Sequence, residues 1–574
     1  MTRSQLPFVV IDGQHVGTRV EAMLIEAVVD DHLILPDTFS LRFILDTAET
    51  FDRLRVKIGA KVTIKSGQLG ESPDSTLIEG EITSIEAVFE DGAQYIVVRG
   101  YDQTHRLHAG RKTRSFNNVS DSDLARRIAA EVGVSVGDIE SSGTVHEHIS
   151  QVNMTDCEFL QARAREIGFT VAIRNGKLQF GRGGDSASPS TPGLPGSDGI
   201  DLTIGEELIS FRPRVTGVQQ VKEVEARGWD YGAKQKVSHF ASAGTESVSL
   251  DQSGWEPGAL ARKFGNPSYL TCDRPISTAA EAEAVADATA EEISSSFAEA
   301  EGTAIGDPRL VTGGRVTIAG AAPFDGEWTL SHTRHRFDED GYYTDFEVAG
   351  RQVRSLLGLS SLGASGASPV YGVVVGIVTN AKDPEKLGRV KLTFPWLSDT
   401  YESHWARVCF PGAGPERGLF LVPEVDDEVL VVFDHGDVRM PYVLGGLYNG
   451  KDKPPASAYC DESDGKIKLR RWSSAKGHEI TISDYDDEDH IIIKTKDNEY
   501  GIAISKARDH IYVSSKGKIV LDGPGGIEIK GGDVTVSGGQ IKLDASAALE
   551  MKGASAKLEG TGQTEIKGGI VKIN

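Results

Sequence analysis

"GPGGIEIKGGDVTVSGGQIKLDASAALEMKGASAKLEG", Gly523 to Gly560, repeats one short phrase: two apolar or small residues flank another residue, and a gap of small residues follows. Pairs such as Ile527/Ile529, Val534/Val536, Ile541/Leu543 and Leu549/Met551 recur at steps of seven or eight residues and continue to Val571/Ile573. Side chains alternate with period two along a strand, so a seven-residue step throws the next pair onto the opposite face of a straight strand. The chain must therefore turn a corner between pairs. Gaps such as "KGGD" and "SGGQ" supply backbone that can take positive φ at those corners.

Only three residues per strand remain. Looser copies at Ile467/Leu469, Ile480/Ile482, Ile491/Ile493, Ile502/Ile504 and Ile511/Val513 bring the total to about thirteen strands. Two inward side chains per strand make a thin core, and a lone chain would leave its strand edges open. Three copies wound around one another solve both problems. Each strand then pairs with strands of the other two chains, the apolar pairs fill a triangular interior, and Lys, Glu and Asp face water. At about 4.8 Å between strands, the expected shaft is on the order of 60 Å long. A single-chain β-solenoid is the competing architecture. A step of seven or eight residues does not match a hexapeptide repeat, and the Asp positions of a calcium-binding nonapeptide are absent after Lys516.

The 574 residues suffice for three or four domains. With 61 basic and 84 acidic residues the formal charge is −23, an adverse field for a nucleic-acid phosphate track. The four cysteines, Cys157, Cys272, Cys409 and Cys460, lack the CxxC spacing of a structural zinc site and do not suggest a disulfide framework. The N-terminal apolar run is too short for a signal peptide, and no stretch is long enough to span a bilayer. Synthesis in a reducing compartment, without a signal peptide, is the expectation.

From Phe8 to Gly183 the pattern is strand-rich, interrupted by helices at "SDSDLARRIAAEVGV" and "TDCEFLQARAREIGF". A Gly/Ser/Pro-rich mobile loop is expected over 181–199, and an Ala/Glu-rich helix beginning near Ser277 is expected to close at Gly302. The small-residue stretch 361–369 is read as a linker. About eighty residues of short strands follow it, then a second linker at 451–466.

Motifs for chemistry are weak. "HEH", His146–His148, lacks the second His of HExxH because Ser150 stands at i+4, so a strand at the surface is expected. "DYDDEDH", Asp484–His490, has neither the Gly nor the Glu of a calcium loop and is expected to be a solvated loop. "GAGPERG", Gly412–Gly418, lacks GK[ST] and reads as a turn. Phe394, Trp396 and Trp405 could stack on single-stranded nucleic acid, but the acidic turns nearby favour core aromatics. No histidine follows His510, so no axial imidazole metal site is expected in the distal repeat. Catalytic residues, bound metal and cofactors are accordingly expected to be none.

Residues 370–455 contain "DPEKLGRVKLTFPW", "WARV", "PEVDDEVLVVFDHGD" and "MPYVLGGLYNG". This segment resembles the OB-fold module of the VgrG proteins and related tail-spike proteins of contractile injection systems. The family usually has Gly where Asp426 stands in "VDDEV", so a locally different turn is expected there. Upstream, "VRGYDQTHRLHAGRKTRSFNNVSDSDLARRIAAEVGV" is similar to the hub domains of the same family and of phage late-control D proteins.

The resemblance implies a mainly β homotrimer. Its hub region, 1–360, would contain two β-barrel-type domains with helical insertions and dock a hexameric inner-tube protein with pseudo-sixfold symmetry. An OB-fold collar at 370–450 and an intertwined triple-stranded β-helix needle at 467–574 would follow. The needle's last residues, Val571, Lys572, Ile573 and Asn574, would form a platform for a PAAR-repeat tip protein. Other implied partners are baseplate proteins, effectors and the target membrane, which the spike pierces on contraction; nucleic acid is not among them. The machine would be a phage tail, a type VI secretion system or an extracellular phage tail-like particle. No room is seen for an inserted lysozyme or an appended effector domain, so no enzyme activity is expected. The alternative is a phage-type spike with a cryptic cell-wall or glycan hydrolase.

Overall fold

The computed structural model describes residues 5–573, apart from 34, 46–53, 69–74, 91–92, 175, 183–198, 352–369 and 457. The linker expected at 361–369 lies outside these residues, as does the loop expected at 181–199 except for 181, 182 and 199. The protein is mainly β and divides into two compact units, Met1–Asp452 and Lys453–Asn574.

The first unit is built on an eleven-stranded sheet. Its centre holds β1 (Leu24–His32), β2 (Thr38–Leu45), β3 (Ser75–Glu90) and β4 (Ala93–Asp102), followed later in the chain by β5 (Leu208–Val215), β6 (Ala298–Ile305), β7 (His332–Asp338) and β8 (Gly341–Val348). Their spatial order is β5-β6-β8-β7-β1-β2-β4-β3, so one four-strand unit occurs twice with the same topology. The correspondence extends to details. Both units end on a hairpin, closed by the pairs Glu90↔Ala93 and Asp338↔Gly341. Both carry a bulge at the matching place, between Leu24 and Glu26 on β1 and between Leu208 and Ser210 on β5. A bulge leaves one residue unpaired and re-aims the strand, which makes a shared one a marker of common design. The antiparallel pairing of β7 with β1 welds the two units together.

Three helices pack on smaller sheets beside this wall. Helix α1 (Asp121–Val132) starts at Ser120, whose side chain accepts the Asp123 N–H, and stops at Gly133 with φ 72°, a left-handed cap that glycine takes without a Cβ penalty. Helix α2 (Asp156–Glu166) opens with a Thr155/Glu158 capping box and buries Phe159, Leu160 and Ala164. Helix α3 (Ala279–Ser295) is shorter than expected: from Ala298 the chain is strand β6. Ala298, Ala300 and Ala304 point into the core at period two, so burial overrides the helix propensity of Ala and Glu.

Residues 373–446 form a five-stranded barrel of β9 (Val373–Asn380), β10 (Lys391–Thr393), β11 (Arg407–Val408), β12 (Glu428–Phe433) and β13 (Pro441–Gly446), ordered β10-β9-β12-β13-β11. Phe394 is fully buried in its core, but Trp396 is 49% exposed and donates its indole N–H to the Val375 carbonyl at 3.0 Å, which corrects its reading as a core residue. Trp405 is half-buried, with Lys391 Nζ 5.5 Å from its ring centroid. Gly412–Gly418 is a turn, as expected. Asp426 takes φ 75°, the left-handed conformation open to glycine, and donates its N–H to the Val378 carbonyl at 2.9 Å. The expected local rearrangement is therefore unnecessary, because Asp is among the few residues that tolerate this region.

Arg389, 1% exposed, is held by Asp383 through Nη2 at 2.7 Å and Nε at 3.1 Å. Burial alone would raise the Asp383 pKa, but Arg389 and the N–H groups of Leu387 and Glu385 hold it down at about 2. Because the folded value lies below the unfolded one, the stabilisation is complete above the ordinary carboxylate pKa and fades as pH falls through about 2. Asp383→Asn would leave the buried guanidinium only Glu385, at 3.2 Å, as a counter-ion and is expected to cost about 1.5–3 kcal/mol. The loss should be visible as a lower unfolding midpoint at neutral pH and a smaller difference from the wild type near pH 2.

Candidate assembly interface

The second unit contains an antiparallel meander of β14 (Leu469–Ser473), β15 (Glu479–Ser483), β16 (His490–Lys494), β17 (Tyr500–Ser505) and β18 (His510–Ser515). These strands pair within the chain, which corrects the expectation that residues 467–515 pair with other copies. The reason is spacing. Ile480, Ile491 and Ile502 recur every eleven residues, which is room for a five-residue strand and a reversing loop. The later step of seven or eight residues leaves no such room. Asp484–Asp489 forms one of the reversing loops, as expected.

Register places the apolar residues in two columns on one face. Trp472, Ile480, Ile493, Ile502 and Val513 form the first; Ile482, Ile491, Ile504 and Ile511 form the second. Leu469, expected in this set, lies opposite Ser483 on the other face, and Trp472 takes the place assigned to the first pair. Except for half-buried Ile480, these residues are 41–71% exposed.

The polar face is the more covered one. Thr481 and Ser483 are almost fully buried, Arg471 donates to Thr481 Oγ1 at 3.0 Å and to the Pro455 carbonyl at 3.2 Å, and Glu479 pairs with Lys494 at 3.0 Å. A sheet designed to stand alone in water would be arranged the other way round.

Beyond the meander, the described residues 517–573 contain one backbone–backbone hydrogen bond, Gly526 N–H to the Gly523 carbonyl at 2.8 Å. Their apolar residues are open to solvent: Ile529 is 70% exposed, Leu543 66%, Met551 80% and Ile573 88%. Faces are nonetheless segregated at period two. Glu528 pairs with Lys530 at 2.7 Å, Lys542 with Asp544 at 3.0 Å and Glu550 with Lys552 at 2.6 Å, each on the side away from the flanking apolar pair. Such exposed pairs contribute little stability and serve mainly to mark the wet face. Among the described residues the tail encloses no interior of its own, which disfavours the single-chain solenoid. Val571, Lys572 and Ile573 continue this extended geometry, whereas Asn574 lies outside the described residues.

The candidate chemistry resolves into structure. His146 and His148 lie on the strand Val145–Met154, partly buried, with Glu147 exposed between them. His146 Nε2 is 3.1 Å from Asp121, which also binds Arg163 at 2.6 Å; Arg163 pairs with Glu166, and Glu166 with Arg439 of the five-stranded barrel at 3.2 Å. Burial opposes the charge on Asp121, but Arg163 and His146 hold its pKa at about 2. His148 stacks on His404 with ring centroids 5.6 Å apart, and burial lowers its pKa to about 4. Among the described residues no group of three or more His, Cys, Asp or Glu is arranged to hold a metal ion, and no helix is long and apolar enough to cross a membrane.

Residues 49–339, just over half of the sequence, match the family described as the Alg8 N-terminal domain. The chain belongs to that family. Residues 374–448 match the type VI secretion system/phage-baseplate injector OB domain. The chain is 29% identical over 120 residues to the type VI secretion system spike protein VgrG2a of Pseudomonas aeruginosa, an alignment covering 20% of this chain and 14% of that one. It is 25% identical over 187 residues to the actin cross-linking toxin VgrG1 of Vibrio cholerae, covering 29% and 17%. The matched part thus spans less than a fifth of either relative's length. In fold it is similar to a solved Francisella PdpA–VgrG complex, half-lidded, at a TM-score of 0.52 and 9% identity over 89% of this chain and 88% of that one. These likenesses make the chain VgrG-like.

Ile493 sits between Ile480 and Ile502 in the first column. Covering each half-exposed isoleucine there is worth about 1 kcal/mol, and a buried carboxylate would be prohibitive. Ile493→Asp is expected to abolish or sharply weaken self-association in sedimentation velocity, whereas Lys496→Asp, in an exposed turn, should leave it unchanged.

Proposed function

We propose that the protein is the trimeric spike and hub of a contractile injection system. It would join an inner tube to a membrane-puncturing needle and act by transmitting force rather than by catalysis. The observation that carries this reading is the C-terminal unit. It exposes an apolar sheet face and then more than fifty residues whose backbone and apolar pairs have almost no partner in the same chain. Three copies would bring three meander faces together around one axis and braid residues 517–573 into a prism. Backbone ladders between copies would then be loaded together, so no chain could peel away singly.

In the N-terminal unit, two equivalent four-strand units per chain become six in a trimer. That count suits a hexameric inner-tube ring and supports a hub role for this region. The 373–446 barrel would be the collar, tied to the hub by the Asp121–Arg163–Glu166–Arg439 chain of charges. At the far end, Val571, Lys572 and Ile573, with Asn574, would offer strand ends to a PAAR-type tip protein. Baseplate proteins and effectors would be further partners, and the assembled particle would act outside the cell that makes it.

Light scattering of the purified protein should give the mass of three 61.6 kDa chains, 184.8 kDa, and negative-stain images should show a rod on a wider base. A 61.6 kDa species at micromolar concentration would contradict the reading. Release of fragments from peptidoglycan by the purified protein would instead favour a hydrolytic spike.

A further inference from the structure

The five-stranded barrel meets the strand Val145–Met154 across a seam that contains a pair of histidines. His148 of the strand stacks on His404 of the barrel, with ring centroids 5.6 Å apart and planes 11° from parallel. Its Nε2 lies 3.2 Å from the Glu402 carbonyl oxygen. A carbonyl oxygen can only accept, so Nε2 carries the proton and Nδ1 is a bare lone pair. That Nδ1 is buried and has no hydrogen-bond partner. Beside the stack, the hydroxyls of Ser150 and Tyr401 share a hydrogen bond at 2.9 Å, and these residues are 7% and 1% exposed.

A second proton on His148 would place a charge and a new donor where neither has a partner. On its own strand, Glu147 is turned to His404 Nε2 at 3.7 Å and is otherwise exposed. In the neighbouring strand the paired residue is Asn117, which is uncharged. From the barrel come Lys391 and Glu402, joined to each other at 3.0 Å, then Arg389 with Asp383 and Glu385, and Arg439 with Asp437 near Tyr401. The Glu402 carboxylate favours a charged His148, but Lys391 and Thr379 already bind it, and His404 and Lys391 oppose that charge. His146, two residues earlier, is built differently, because Asp121 stands 3.1 Å from it as a counter-ion.

We propose that the His148–His404 stack is an acid-sensitive latch: with both rings neutral it closes the seam between the barrel and the strand Val145–Met154, and protonation opens that seam. Burial lowers the proton affinity of both rings, that of His148 to a pKa of about 4. The opened seam therefore takes up more protons than the closed one, and closure weakens as pH falls from about 6.5 towards about 4. The carboxylates nearby do not change over this range. Burial opposes the charge on Asp121 and Glu166, but Arg163 with His146 holds the first at about 2, and Arg163 with Arg439 the second. A spike built this way would be rigid in neutral medium and would yield at the barrel seam in an acidic one. The latch lies within one chain and holds whether or not copies assemble.

Full-length protein carrying Ser150→Cys reports on the seam, since a thiol at that position is buried while the seam is closed. Labelled with a pyridyl disulfide that reacts in mild acid, and read by peptide mass spectrometry against exposed Cys272, it should react on the order of tenfold faster relative to Cys272 at pH 5 than at pH 7. His148→Gln keeps a donor for the Glu402 carbonyl and cannot take up a proton, so adding it should remove most of the acceleration. In a second arm without the new cysteine, the unfolding midpoint of the native chain should fall more between pH 7 and pH 5 than that of His148→Gln. Acceleration that survives His148→Gln, none in its presence or absence down to pH 5, or parallel unfolding profiles would overturn the latch.

Discussion

Every peptide unit carries a donor and an acceptor that must find partners, and in residues 517–573 one chain supplies almost none. The repeat is too short to reverse into a hairpin and too apolar to remain a solvated coil, so its hydrogen bonds and its interior must come from elsewhere. Identical copies are the simplest source. The meander before it shows the alternative: with eleven residues per step the same Ile-x-Ile phrase pairs within its own chain and leaves only the apolar face unsatisfied. A change of three or four residues in spacing moves the unmet need from side chains alone to side chains and backbone together.

The N-terminal unit meets a related constraint with a different device. A sheet of two topologically equivalent four-strand units leaves open, on β3, the face that the internal junction buries on β7. Phe89 and Phe337 make the comparison direct, since they occupy equivalent positions at 72% and 5% exposure. Long insertions between the strands of the second unit, including α3, supply smaller sheets and helices beside the wall without disturbing the shared topology.

Much of this was legible in the sequence and some was not, for physical reasons. The C-terminal pairs could be read because period-two alternation and Gly-rich corners are local signals. The five-stranded barrel announced itself through "DPEKLGRV", whose Asp383 accepts hydrogen bonds from the loop's own backbone and from Arg389. The doubled unit could not be read from adjacent residues. Its matching strands share Leu24/Leu208, Ile25/Ile209, Ile44/Ile305, Phe89/Phe337 and Tyr95/Tyr343, but little else, and their spacing differs by long insertions. Spatial order, bulge position and register revealed it. The extent of α3 was misread because Ala and Glu favour helix locally, whereas the sheet needed small residues at 298, 300 and 304. The burial of His146 and His148 was invisible because their partners lie elsewhere in the sequence, on α1 and in the five-stranded barrel.

Amide hydrogen exchange over 517–573 in the purified full-length protein tests the central claim most directly. A lone chain of this geometry would exchange at nearly unprotected rates throughout. If other copies provide its ladders, amides within the apolar pairs and between them will be strongly protected while the glycine corners exchange faster. Uniform, rapid exchange along the whole segment in the assembled protein would contradict the account.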